Sequence, residues 1–118
     1  TKHVHLQELL NLTNNDYSKL EKYISIFFKN VPSDLHNLKE AFNFQKWEEV
    51  GKIAHKIKGN VGYMGISSIR KELEILEKVN KEVGDLEEIA DIVNRVEIVL
   101  GLAIKELEEV KGELKEKA

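Results

Sequence analysis

The stretch AHKIKGNVGYMG, residues 54–65, sets one histidine, His55, among lysines and glycines. Near neutral pH an imidazole, with an ordinary pKa of about 6.5, keeps an unprotonated ring nitrogen that can attack an electrophile. Lys52 and Lys58 lie three residues to either side of His55, and Lys56 follows it directly. On a helix this spacing predicts a local positive patch around the ring. A phosphoryl group gained by the ring would bring about −1.5 to −2 charges, which nearby ammonium groups stabilise. Solvated lysines on an exposed face are the plainer reading of the same residues.

A helical wheel at about 100° per residue separates two faces of this segment. Val50, Ile53, Ala54, Ile57, Val61 and Met64 form one apolar stripe, and His55 falls well outside it. The histidine is therefore expected to face solvent rather than the core. Gly51, Gly59 and Gly62, at i−4, i+4 and i+7, share its face, where side chains would otherwise stack beside the ring. A glycine inside a helix costs about 1 kcal/mol relative to alanine, so three on one face predict a ring left uncovered for close approach by another surface.

Other chemistries find little support. The remaining histidines, His3, His5 and His36, show no i,i+4 pairing and no carboxylate set of ligand spacing, so no metal site is expected. There is no cysteine, which excludes disulfides, thiolate zinc sites and a cysteine nucleophile and suits a reducing compartment. No glycine-rich phosphate loop appears, so no ATP site is expected. The 21 acidic residues, Glu48 and Glu49 among them, are spread along solvated faces rather than paired for hydrolysis. A net charge of −3 removes the basic field that nucleic-acid binding needs. No apolar run approaches the roughly 18 residues of a membrane span, and the start TKHVHLQELL lacks the order of a signal peptide. A cytoplasmic location is expected.

The elements that must position His55 are helices. With 118 residues, 42% of them hydrophobic and 33% charged, the chain fits one helix-rich domain, 1–118. A short helix is expected over HLQELLNL. TNNDYSK then caps a second helix with Tyr17, Leu20, Ile24, Phe27, Phe28 and Val31 inward. Pro32 predicts the first turn of a third segment carrying Leu35, Leu38 and Phe42. The His55 helix runs from about Trp47 to Gly62 or Tyr63, and Gly62 and Gly65 bracket a break. A fifth segment follows with Ile66, Ile69, Leu73, Leu76 and Val83 inward. Asp85 and Glu88 occupy capping-box positions for the last helix. There Ile89, Val93, Val96, Leu100, Ala103, Leu107, Val110 and Leu114 recur at spacings of four and three. Gly101 and Gly112 are expected to loosen it and the tail KGELKEKA to fray. The architecture expected is all-α: an antiparallel four-helix bundle with additional short N-terminal helices.

AHKIKG, with Gly65 beyond it and a Leu/Ile-rich helix after that, resembles the histidine-containing phosphotransfer (HPt) domain family. Its core motif, His-x-hydrophobic-Lys-Gly, is matched by His55, Ile57, Lys58 and Gly59. IFFKNVPSDLHNLKEAF and WEEVGKIAH resemble the family's preceding helices, and the likeness spans roughly residues 6 to 80. Asn60 stands where a serine is frequent, and Lys46 where an acidic cap is common. The resemblance implies that His55 accepts a phosphoryl group from an aspartyl phosphate on a response-regulator receiver domain and passes it to another receiver. His55 would attack through Nε2, Lys58 would steady phosphoryl oxygens and Gly59 would clear space. Magnesium would come with the receiver, so no cofactor is expected here. A hybrid sensor histidine kinase is the expected upstream partner, and Glu48, Lys52, Lys56 and Tyr63, with Gly51 and Gly62, the expected partner-facing residues. Two rival readings are a bundle that docks a partner without being phosphorylated, and a chemotaxis-type domain phosphorylated directly by a kinase. A monomer is expected.

Overall fold

The computed structural model describes residues 4–79 and 84–117. Five helices follow in order: α1 (Leu6–Leu12), α2 (Tyr17–Asn43), α3 (Trp47–Tyr63), α4 (Arg70–Glu77) and α5 (Leu86–Lys117). No strand occurs among the described residues. The short Phe44–Lys46 connection folds α3 back antiparallel to α2. α2 packs on α3 and α5, and α4 closes the bundle between α3 and α5. α1 lies against α2, and its lead-in is tied to α5 where the Val4 amide donates to Glu106 Oε1 at 3.2 Å. This is the all-α four-helix bundle the apolar spacing predicts, with one short N-terminal helix.

That single short helix corrects the expected break at Pro32. The second and third predicted segments are one helix, with Pro32 inside it. A proline in a helix interior costs about 3 kcal/mol because it removes a backbone hydrogen bond and crowds the preceding turn. Here Leu20, Ile24, Phe27, Val31, Leu38 and Ala41 form one continuous buried stripe across it. Burying a side chain of that size yields about 1.5–3 kcal/mol each, so packing on both sides of Pro32 outweighs the break. Tyr17, expected inward, is exposed at the first turn of α2, where Asp16 caps the helix by accepting from the Lys19 amide at 3.0 Å.

Glycine does not do all the stopping. α3 ends in a Schellman motif: the Ile66 amide donates to Val61 O and the Gly65 amide to Gly62 O, with Gly65 at φ 67°. Gly65 is therefore the terminator and Gly62 lies inside the helix. α2 ends in the same bond pattern, Lys46 to Ala41 and Gln45 to Phe42, with Gln45 rather than glycine at φ 56°. Asn14 and Asn15, read as capping residues for α2, adopt positive φ and close α1 instead. All eight residues of the α5 stripe are buried. The helix continues through Gly101 and Gly112 to Lys117. Asp85 Oδ1 accepts from the Glu87 amide at 2.9 Å at its start. Val83 lies outside the described residues.

Candidate functional site

The six-residue stripe of α3 turns inward as the wheel predicts, with Val50, Ala54, Ile57, Val61 and Met64 buried and Ile53 packed against the core. His55 consequently points outward, its side chain 73% exposed. Gly59 and Gly62 are exposed beside it, and a Cβ on either would meet no atom within 4 Å. The glycine at i−4 differs. A Cβ on Gly51 would stand 3.0 Å from the backbone carbonyl oxygen of Glu77, so its missing side chain admits α4 of the same chain rather than a visiting surface.

That approach brings in a residue the sequence did not mark. Glu77, the last residue of α4, places Oε2 3.1 Å from His55 Nδ1 and Oε1 2.6 Å from Lys58 Nζ. The Lys58 contact is a close ion pair. Burial pushes the Glu77 carboxyl up, but the opposing contacts of Lys58 and then His55 prevail and hold it below its usual value. An ionised carboxylate can only accept, so Nδ1 is the ring nitrogen that carries the proton. In the neutral ring Nε2 is then the nitrogen with the free lone pair, on a ring held at its other end. The ring is uncovered on its outer side, and a carboxylate orients it from within the chain.

The lysines are compensated too. Lys52 pairs with Glu48 at 3.4 Å, Lys56 with Asp34 at 3.2 Å and Lys58 with Glu77. The expected positive patch is thus a row of ion pairs, because Asp34 and Glu77 arrive from α2 and α4. Glu48, Gly51, Lys52, His55 and Glu77 line one open groove of about 370 Å³. On the other flank of α3, Tyr63 and Asn60 meet Tyr23, Ile26 and Phe27 of α2 around an apolar groove of about 270 Å³. Tyr63 is 69% exposed there, tilted against Tyr23 with ring centroids 5.9 Å apart. Asn60 donates back to the Lys56 carbonyl at 3.2 Å, and Lys46 starts α3 without a side-chain cap.

His36 lies on exposed α2 near Glu40, His5 precedes α1, and His3 is outside the described residues. No group of three metal-ligating side chains occurs among the described residues, and no helix of these is long and apolar enough to cross a membrane.

A four-helix bundle presenting an oriented, solvent-facing imidazole from a middle helix is the arrangement of a helical phosphotransfer module. The family model for the Hpt domain matches residues 22–114, and the chain belongs to that family. Its members carry phosphoryl groups in two-component signalling. The match takes in α5, which shows no motif of its own, and leaves out α1. No curated protein and no solved structure matches the chain.

Proposed function

We propose that His55 is the phosphoacceptor of a two-component phosphorelay, taking a phosphoryl group on Nε2 from a receiver-domain aspartyl phosphate and passing it to the aspartate of another receiver. The observation that carries this reading is the His55–Glu77–Lys58 arrangement: an outward ring with Nδ1 engaged, beside an ammonium group that can turn from a carboxylate to an incoming anion. In the transfer the bond from phosphorus to the aspartyl oxygen breaks as the bond to Nε2 forms, and the receiver's carboxylate leaves with the electron pair. In-line placement and charge neutralisation dominate such a step. Lys58 serves the second, Gly59 and Gly62 permit the first, and the receiver supplies magnesium.

Gly59, Gly62, Lys52, Lys56, Glu48 and Tyr63 form the receiver-facing surface, and Gly51 acts from inside by seating α4. A hybrid sensor histidine kinase is the upstream source in this reading, and the domain works in the cytoplasm. One chain carries the whole arrangement, so a monomer suffices.

The test is to incubate the domain with a phosphorylated receiver and follow acid-labile, base-stable label. Wild type is expected to label and His55→Gln, still folded, to stay blank. Full labelling of His55→Gln would overturn the site, and no labelling of wild type by any receiver or kinase domain would favour a docking module that is never phosphorylated. Labelling by an ATP-bound kinase domain but by no receiver would favour the chemotaxis-type donor.

A further inference from the structure

Asp34 interrupts the buried stripe of α2 between Val31 and Leu38, and at 5% exposure it is the one buried charged residue among the described residues. Its Oδ1 lies 3.2 Å from Lys56 Nζ, while its buried Oδ2 has no hydrogen-bond partner. Burying an ion costs several kcal/mol unless partners compensate it fully, and a leucine at this register would extend the apolar stripe at no such cost. The position thus gives up stability. What it secures is Lys56, a side chain 64% exposed that would otherwise sweep through solvent. Lys56 directly follows His55 in sequence and stands, with Asn60 and Tyr63 at i+4 and i+7, on the flank of α3 that borders the apolar groove.

The geometry points to Asp34 as a positioning residue that holds the Lys56 ammonium at a fixed place between His55 and the groove, where it receives an anionic side chain of the docking receiver. This rests on the phosphotransfer reading. A cation already fixed loses less side-chain freedom on docking than a loose one, so the arrangement strengthens the encounter complex and leaves the chemical step alone. Lys58 differs in this respect, because its carboxylate partner also holds the reacting ring.

The test compares wild type, Asp34→Asn, Lys56→Gln and the double variant, using a receiver loaded with phosphate by acetyl phosphate and separating KM from kcat. Asp34→Asn and Lys56→Gln are each expected to raise KM three- to tenfold with kcat unchanged, the double variant to be no worse than the more affected single one, and Asp34→Asn to melt no lower than wild type. Unchanged KM in Lys56→Gln, or additive effects, would overturn the inference. A second measurement needs no partner: acetylation of Lys56 by a succinimidyl ester, followed by mass spectrometry, is expected to be several-fold faster in Asp34→Asn. Equal acetylation rates would overturn the inference even if His55 itself proved not to be phosphorylated. Absence of label on wild-type His55, with acetylation still accelerated, would instead count against the phosphotransfer reading alone.

Discussion

Gly51 and Glu77 meet backbone to backbone: a Cβ on the glycine would stand 3.0 Å from the glutamate carbonyl oxygen. α4 ends against α3 at the turn where Gly51 lacks a side chain, and that contact delivers the Glu77 carboxylate to both His55 and Lys58. The glycines around the histidine therefore differ: Gly51 seats α4, whereas Gly59 and Gly62 lie on open surface.

Alanine scanning of the three separates them. Gly51→Ala forces α4 to shift, because the obstacle is backbone rather than the tip of a flexible side chain; it is expected to lower the melting temperature and to loosen the His55–Glu77 contact. Gly59→Ala and Gly62→Ala meet open space and gain helix propensity, so each is expected to stabilise by up to about 1 kcal/mol. Thermal unfolding of the three variants checks the difference in sign.

Glu77→Gln keeps the size of the side chain and removes its charge. Nδ1 then loses an obligate acceptor and Lys58 its counter-ion, so phosphoryl acceptance is expected to slow about tenfold, equal to about 1.4 kcal/mol, on the order of one charge-assisted hydrogen bond. Ring nitrogen shifts in NMR are expected to report a mixture of His55 tautomers in place of one.

The same residue predicts a pH dependence. The folded-state pKa of Glu77 is held below its usual value of 4.5. Its contribution to stability is therefore full above about that value and disappears as pH falls through the depressed folded pKa. Wild type is expected to exceed Glu77→Gln in stability at neutral pH, with the two unfolding curves converging in acid. Urea melts from pH 7 down to pH 3 measure this; a gap that persists at the acid end would show that the effect is one of shape.

The helix faces were legible because they depend on period alone. The α3 and α5 stripes, and hence the outward direction of His55, follow from spacing. Pro32 misled because local preference there is outweighed by burial on both sides of it. Glu77 and Asp34 were illegible for another reason: each lies far from His55 in sequence, and only the packing of α4 and α2 on α3 brings their carboxylates to the lysines. A row of lysines in sequence thus read as net positive charge, when the folded chain had matched each with an acid. The sequence carried one faint sign in α2, an aspartate at the register of a buried stripe between Val31 and Leu38.

Two substitutions two residues apart, on opposite faces of α3, separate fold from docking. Ile57 is fully buried, and Ile57→Asp places an unpaired carboxylate in the core at a cost of several kcal/mol, a large share of the 5–15 kcal/mol typical of a whole domain. Loss of the cooperative helical circular-dichroism transition is expected. Gly59→Gln, on open surface, is expected to retain that transition while placing a flexible side chain one turn from His55, where a receiver must bring its phosphoaspartate in line with Nε2. Transfer from a phosphorylated receiver is expected to fall at least tenfold, with normal melting. A Gly59→Gln domain that transfers at the wild-type rate would mean that the bare face serves no visiting surface, and the role assigned to Gly59 and Gly62 would have to be given up.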